Sequence, residues 1–209
     1  MALLRKFFNQ TRKPEGFLGK LMLSGMNSGH AKLADWGFEH LPELTVSQAV
    51  DLGCGGGRNA GELLKKYPNA RVTAVDHADL SVKKAAAYNR IMIGAGRCTA
   101  MQGDVSALPF RDGSFDLATA FETVYFWPGP VKSFSEVCRI LKPGGRFLIV
   151  NESDGMDKTG KQFETIIDGM HTYTAEELEA ALQAAGFAQV KTAHHPQKPW
   201  LAILATKGE

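Results

Sequence analysis

Short apolar segments rich in β-branched residues alternate with amphipathic segments through the middle of the chain. The apolar segments predict strands at Ser47–Asp51, Arg71–Asp76, Cys98–Gln102, Phe115–Phe121 and Phe147–Val150. The amphipathic segments predict helices at Asn59–Tyr67, Asp79–Gly94 and Val131–Leu141. Because strands joined through helices pair in parallel, this alternation predicts an α/β fold with helices on both faces of one sheet.

The pattern changes after the fifth predicted strand. Thr174-Ala175-Glu176-Glu177 is a capping box that opens a helix ending at Gly186. Two apolar segments follow, Ala188–Ala193 and Trp200–Thr206, and they predict an antiparallel pair at one edge of the sheet. We expect one domain over residues 1–209: a helical lid (1–45), a cofactor-binding core (46–152) and a C-terminal helix with the strand pair (153–209).

Composition and charge exclude several classes of protein. A chain of 209 residues with 44% hydrophobic residues and 22 glycines has the composition of a soluble globular domain. The 24 basic and 22 acidic residues leave a net charge of +2, so we expect no nucleic-acid partner. No apolar segment approaches the ~20 residues of a membrane span. We expect a cytoplasmic monomer or homodimer without stable membrane insertion.

Cysteine and histidine spacing gives no sign of a disulfide framework or a metal site. Cys54, Cys98 and Cys138 cannot all pair internally, and their spacing is not that of a zinc site. The adjacent His194 and His195 would point to opposite faces of a strand. We therefore expect no bound metal.

A glycine-rich turn follows the first predicted strand. Gly53, Gly55, Gly56 and Gly57 allow the backbone to approach a ligand closely, because no Cβ stands in the way. The helix that begins near Asn59 directs its free amide groups and the positive end of its dipole toward the same place. This turn predicts a site for a ligand that carries a carboxylate or a phosphate.

Acidic residues end three consecutive predicted strands, at Asp51, Asp76 and Asp104. Asp76 can accept hydrogen bonds from two ribose hydroxyls, and Asp104 can accept one from an exocyclic amine. Asp51 suits an ammonium group, so the three acids together predict a nucleoside with a zwitterionic tail. Gly55 to Ala60 also satisfies the G-x-G-x-x-A pattern of NAD sites, and an NAD-dependent oxidoreductase stays an alternative. Against it, Asp51 would repel a pyrophosphate.

Several segments resemble the ordered motifs of class I S-adenosylmethionine-dependent methyltransferases, in the small-molecule branch of the ubiquinone/menaquinone-biosynthesis type. They are Val50 to Asn59, Val72–Asp76, Gly103 to Phe110, Ser114 to Leu117 and Arg139 to Gly145. The resemblance implies a Rossmann-like seven-stranded sheet, mostly parallel, with a reversed last strand. It implies S-adenosylmethionine as cofactor, S-adenosylhomocysteine as its product, and a small-molecule acceptor.

The same resemblance assigns roles to individual residues. The cofactor would contact the glycine turn, the strand-terminal acids and their neighbours: Asp51, Gly53, Gly55, Asn59, Asp76, His77, Asp104, Val105 and Phe121. Asp51 and Gly53 would line the methionine portion and Asp76 would hold the ribose. Asp104 would accept from the adenine amine between His77 and Val105, and Phe121 would lie near the sulfonium.

Candidates for the chemistry follow the fourth strand. Glu122 can receive a proton, Tyr125 can orient an acceptor, and Trp127 can form a wall of the site. His30, at the start of a predicted N-terminal helix, and Glu152, after the fifth strand, are further candidates. A structural role for each of these residues stays open, as does a nucleoside-binding module without catalysis.

Overall fold

The computed structural model describes Phe8, Pro14, Gly16, Gly19 and residues 29–209. Numbered from the first described helix, the α-helices are α1 (Ala31–Glu39), α2 (Arg58–Lys66), α3 (Asp79–Tyr88), α4 (Arg90–Gly94), α5 (Pro130–Ile140), α6 (Lys158–Ile166) and α7 (Ala175–Ala184). The strands are β1 (Gln48–Leu52), β2 (Arg71–Asp76), β3 (Cys98–Gln102), β4 (Phe115–Phe121), β5 (Leu141–Asn151), β6 (Phe187–His194) and β7 (Leu201–Lys207). A short 3₁₀ helix spans Val124–Phe126.

The seven strands form one sheet in the order β3-β2-β1-β4-β5-β7-β6. The first five pair in parallel, and β7 runs antiparallel to both β5 and β6. The predicted Rossmann-like mixed sheet is confirmed. The reversed strand β7 lies inside the sheet, and β6 is the edge strand at this end. The chain order reverses between β1 and β4, where open parallel sheets have their ligand crevice.

Both faces of the central strands are buried, which explains their continuous apolar sequence. Phe134 of α5 and Leu178 of α7 belong to the hydrophobic cluster on one face. Leu33 of α1 and Leu63 of α2 belong to the cluster on the other. The three cysteines are free and buried.

Strand β5 is longer than the sequence predicts. It begins at Leu141 rather than Phe147 and includes Pro143-Gly144-Gly145, which we expected to be a turn. The ladder with β4 is irregular there, because Phe115 pairs with Leu141 whereas Leu117 pairs with Arg146. Proline lacks the amide donor of a regular strand, and an irregular ladder accommodates it.

The predicted helix from Asp79 to Gly94 is wrong in one respect, since it is divided at Asn89 into α3 and α4. The buried Asn89 side chain donates hydrogen bonds to the carbonyl of Gly57 at 2.9 Å and to that of Ala85 at 3.1 Å. Asparagine often replaces backbone hydrogen bonds in this way, and helices end where it does. The interruption therefore ties the helix to the glycine turn.

Helix α6 was missed by the sequence prediction. Its N-cap is Asp157, whose carboxylate accepts a hydrogen bond from the Gly160 amide at 2.7 Å. Residues 153–209 thus contain a second helix besides the predicted α7, whose capping box at Thr174 and Glu177 is present.

The predicted helical lid falls mostly outside the described residues. Within them, α1 packs on β5, where a Cβ on Gly37 would collide with the Val150 side chain. The close approach of the two elements explains the glycine at this position. No helix in the described part of the chain is long and apolar enough to cross a membrane.

Candidate active site

The glycine turn joins β1 to α2 in a conformation that other residues rarely adopt. Gly53 has φ 75° and Gly57, the N-cap of α2, has φ 83°. A Cβ on Gly53 would collide with the Thr123 side chain, and one on Gly57 would lie 2.6 Å from Cα of Ala85. Glycine at these positions therefore lets the turn close against β4 and α3.

Asp76, at the end of β2, holds the glycine turn in place. Its Oδ2 accepts a hydrogen bond from the Gly55 amide, and its Oδ1 accepts one from the Ala78 amide, both at 2.9 Å. Nδ1 of His77 lies 3.5 Å from the same Oδ1. A carboxylate oxygen can accept more than one hydrogen bond, so Asp76 keeps acceptor capacity for a ligand.

Asp51 is a buried acid beneath the turn, with 1% of its surface exposed. Its Oδ1 accepts a hydrogen bond from the Thr119 hydroxyl at 2.8 Å, whereas its Oδ2 has no partner among the described residues. Burial raises the pKa of Asp51 to about 7, and the nearby Asp76 charge acts in the same direction. A buried carboxyl with a free oxygen suits a cationic group of a ligand.

A cavity of about 300 Å³, the glycine-turn cavity, opens beside the glycine turn and Asp76, and the buried Asp51 does not line it. It brings together most of the residues that the sequence assigned to the nucleoside: Gly53, Gly55, Asp76, His77, Asp104, Val105 and Phe121. Trp127 lines it too, and its Nε1 donates a hydrogen bond to the Thr123 hydroxyl. Hydrogen bonds from the amide and hydroxyl of Ser106 lower the pKa of Asp104, so this acid is ionised at neutral pH.

A narrow cleft of about 50 Å³ adjoins the turn at the N-terminus of α2. Asn59, Gly53 and Gly55 line it together with His30 of the N-terminal segment. Asn59 Oδ1 accepts a hydrogen bond from Nη1 of Arg58 at 3.2 Å. The first amides of α2 can attract a carboxylate here.

A larger cavity of about 530 Å³, the aromatic cavity, lies beside the other two. Its described walls are mainly apolar, and include Tyr125, Phe126, Phe163, Ile167, Met170 and Trp200. His30, Glu122 and Glu152 form a polar end. Phe163 lies on α6, and Ile167 and Met170 follow it; none of the three was predicted, because α6 was not. No short motif marks them.

Glu122 is the one described residue that lines the glycine-turn cavity, the narrow cleft and the aromatic cavity. Its Oε1 accepts hydrogen bonds from the Tyr125 hydroxyl at 3.0 Å and from the Glu152 amide. Tyr125 is buried, and its hydroxyl also accepts one from the Ser153 amide at 3.1 Å. Burial raises the pKa of Glu122 to about 8, and the negative charge of Glu152 adds to this.

The same cluster contains a histidine. Nε2 of His30 lies 3.6 Å from Oε2 of Glu152, and burial lowers the pKa of this imidazole. His30, Glu122 and Glu152 each present one ligand atom within 4.8 Å of the others, a spacing that would also admit a cation. The structure thus brings together the three residues predicted for catalysis, His30, Glu122 and Tyr125.

Comparison with known proteins identifies the family of this site. The sequence pattern of the family described as Methyltransferase domain matches residues 50–149, from the middle of β1 to near the end of β5. Residues 50–149 are a methyltransferase domain of the class I S-adenosylmethionine-dependent type. The matched region contains the glycine turn, the strand-terminal acids and Glu122. The ubiquinone/menaquinone branch remains a prediction.

Two relatives of this methyltransferase chain act on sterols according to their names. Cycloartenol-C-24-methyltransferase 1 of Oryza sativa subsp. japonica is 31% identical over 102 residues, 49% of this chain and 29% of that protein. Sterol 24-C-methyltransferase of Yarrowia lipolytica is 27% identical over 171 residues, 76% of this chain and 45% of that protein. The chain thus spans less than half the length of either relative.

The fold has relatives among solved structures. An S-adenosylmethionine-dependent methyltransferase from Thermotoga maritima superposes with a TM-score of 0.70 at 20% identity, covering 98% of this chain and 99% of that one. Outside the 50–149 match lie His30, Glu152, α6 and Trp200, which form much of the aromatic cavity. The family match therefore covers the glycine turn and the strand-terminal acids but not most of the aromatic cavity.

Proposed function

We propose that this chain transfers a methyl group from S-adenosylmethionine to a small-molecule acceptor bound in the aromatic cavity. The observation that carries this proposal is the position of Glu122, which lines both the glycine-turn cavity and the aromatic cavity. A carboxyl group shared by two cavities can serve a reaction between their occupants. The names of the sterol relatives are consistent with an acceptor of largely apolar surface.

The residues of the glycine-turn cavity and the narrow cleft fit the cofactor. Asp51, buried beneath the turn, would attract its ammonium group through the charge of the carboxylate, and the first amides of α2, beside Gly53, Gly55 and Asn59, would bind its carboxylate. Asp76 would accept the ribose hydroxyls. Asp104 would accept the adenine amine, with His77 and Val105 beside the ring and Phe121 near the sulfonium. The cofactor supplies a methyl group that is already activated for transfer.

The remaining work falls to the residues around the acceptor. Glu122 accepts a proton from the acceptor, and its raised pKa matches that task near neutral pH. The Tyr125 hydroxyl holds the Glu122 carboxyl in place, while His30 and Glu152 contact the acceptor at the same end of the cavity. Phe121, Phe126 and Trp127 are buried or partly buried at this junction and exclude water from it.

Calorimetric titration with S-adenosylhomocysteine tests the cofactor assignment. We expect Asp76→Ala to raise the Kd roughly 10- to 100-fold, because charge-assisted hydrogen bonds to the ribose and the anchor of the Gly55 amide are both lost. Asp79→Ala is the matched control, because Asp79 is an exposed acid three residues later that pairs with Lys83. Equal affinity of wild type and Asp76→Ala would contradict the ribose assignment. Binding of NAD instead of S-adenosylhomocysteine would favour the oxidoreductase alternative.

A further inference from the structure

The polar end of the aromatic cavity presents three hydrogen-bond acceptors to one point. One ring nitrogen of His30 and one carboxylate oxygen each of Glu122 and Glu152 lie within 4.8 Å of one another. His30 and Glu122 also line the narrow cleft beside the glycine turn. A group held by all three would therefore lie next to the cofactor site.

Three acceptors in one cluster suit the three N–H donors of a primary ammonium ion. A nitrogen about 2.9 Å from each acceptor, with tetrahedral angles between the bonds, would separate the acceptors by about 4.7 Å. The cluster lies within 4.8 Å, and its closest given pair, Nε2 of His30 and Oε2 of Glu152, is 3.6 Å apart. Glu152 supplies negative charge to such a group, and an ammonium ion beside Glu122 favours the ionised form of that carboxyl as well. Burial lowers the pKa of His30, so its imidazole is neutral at pH 7 and one ring nitrogen can accept a hydrogen bond.

The charges along the rest of the cavity disfavour an anionic acceptor. The described lining contains Glu122, Glu152 and Asp157 but only one lysine, Lys198. The Lys198 ammonium lies 3.7 Å from the centroid of the Trp200 ring, so it is engaged with an aromatic face. Asp157 is occupied as the N-cap of α6. A carboxylate or phosphate on the acceptor would meet acids at the polar end.

We propose that the acceptor is an apolar amine, bound as its ammonium ion by His30, Glu122 and Glu152, with its apolar body against Phe126, Phe163 and Trp200. This inference rests on the proposed methyl transfer. The Glu122 carboxylate takes one proton from the ammonium, and the freed nitrogen lone pair bonds to the methyl carbon. As the methyl–sulfur bond breaks, its electron pair stays on sulfur, leaving a neutral thioether and an N-methylated ammonium ion.

Three probes with the same indole body separate the chemical classes of acceptor: tryptamine, tryptophol and indolepropionate. Each is titrated calorimetrically into the full chain, with and without saturating S-adenosylhomocysteine. We expect tryptamine to bind at least about tenfold more tightly than the alcohol or the acid. Glu152→Gln should remove most of this preference. Glu43→Gln, an exposed acid between α1 and β1, is the matched control and should retain it.

The outcomes separate this inference from the proposed function. If the wild-type chain does not bind S-adenosylhomocysteine, the proposed function is contradicted. The titrations of the three indole probes in the absence of S-adenosylhomocysteine still test the preference for an amine. Equal or tighter binding of tryptophol or indolepropionate, or no detectable binding of tryptamine, overturns the amine. A titration with MnCl₂ that shows binding, displaces tryptamine and is abolished by Glu152→Gln would overturn it too, because the cluster would then be a metal site.

Discussion

Glu122 is the only non-glycine residue in the described ranges with a positive φ, 59°. A side chain in this region costs of order 1–3 kcal/mol, and such residues cluster at functional sites. Here the residue with a positive φ is Glu122, which lines all three cavities of the site. The hydrogen bonds from Tyr125 and from the Glu152 amide fix its carboxyl group and offset part of the cost.

We expect Glu122→Gln to slow methyl transfer roughly 100-fold or more, because glutamine keeps the shape of the side chain but takes up no proton. The measurement is kcat against pH, with an acceptor that the wild type methylates. The wild-type rate should rise with pH through about 8, where the Glu122 carboxyl loses its proton, and the variant should lack this rise. Affinity for S-adenosylhomocysteine is the control. Equal rates at every pH would remove Glu122 from proton transfer.

Asp51 offers a second test at the residue scale. We expect Asp51→Asn to weaken S-adenosylhomocysteine binding roughly tenfold or more in calorimetry, because the amide cannot supply the charge that faces the ligand's ammonium group. Asp79→Asn, on the exposed start of α3, should leave the affinity unchanged. If Asp51→Asn binds S-adenosylhomocysteine as tightly as the wild type, the interaction of Asp51 with the ammonium group is contradicted.

At the scale of elements, the break between α3 and α4 supports the glycine turn. The amide of Asn89 bridges the carbonyl of Gly57, at the N-cap of α2, to the last turn of α3. The Gly57 carbonyl also accepts the Gly61 amide at 3.2 Å, so loss of the Asn89 side chain would remove two buried hydrogen bonds and leave that carbonyl with one donor.

Asn89→Ala should therefore lower the free energy of unfolding by about 1–3 kcal/mol. It should also weaken S-adenosylhomocysteine binding, because Gly57 leads into the helix that binds the carboxylate. Urea unfolding and calorimetry measure the two effects. Asn69→Ala, on an exposed turn before β2, is the control for both. A variant as stable as wild type would show that the bridge contributes nothing to the fold.

The elements differ in how well the sequence predicts them. β2, β3 and β4 are predicted with their observed bounds. β2 and β4 are mostly buried, and buried parallel strands need continuous apolar segments, whereas β3 is an edge strand buried only at its first residue. The first half of β5 is missed, since Pro143 and two glycines are typical of turns. They lie in the irregular part of the ladder, between Leu141 and Arg146, where Gly144 has φ 70°. Helix α6 is missed because its sequence is largely polar and contains Gly160.

The site residues differ in the same way: some are marked by a local sequence pattern and others are not. The acids Asp51, Asp76 and Asp104 are predictable, since each ends a predicted strand and parallel strands end at one edge. The grouping of His30 with Glu122 and Glu152 depends on how an N-terminal segment folds over the sheet, which no local pattern specifies. The walls of the aromatic cavity come from α6 and from the residues before β7, far apart in sequence.

At the scale of the whole molecule, the buried acids affect stability. Burial raises the pKa of Asp51 to about 7 and that of Glu122 to about 8, whereas both carboxyls ionise near pH 4 in the unfolded chain. Above pH 7 the folded state therefore binds more protons than the unfolded state, and the free energy of unfolding falls as the pH rises. Acids with lowered pKa values, such as Glu136 and Glu164, are ionised in both states there.

We expect the ligand-free chain to lose roughly 1–2 kcal/mol of unfolding free energy between pH 7 and pH 9. Urea titrations at the two pH values measure the loss. The double variant Asp51→Asn/Glu122→Gln should show a clearly smaller loss, because neither replacement titrates. A wild-type stability that rises over this interval would mean that the two carboxyls are already ionised at neutral pH.

The carboxyl of Glu122 lines both the glycine-turn cavity and the aromatic cavity. Binding of a ligand in one cavity is therefore thermodynamically linked, through the Glu122 proton, to binding in the other. A cation bound in one cavity favours loss of the Glu122 proton, and the resulting carboxylate then also faces the other cavity. Whichever molecule arrives first changes the affinity for the second, and by reciprocity the factor is the same in either order of addition. Cooperativity between donor and acceptor would then reside in a single ionisable side chain rather than in a movement of the sheet.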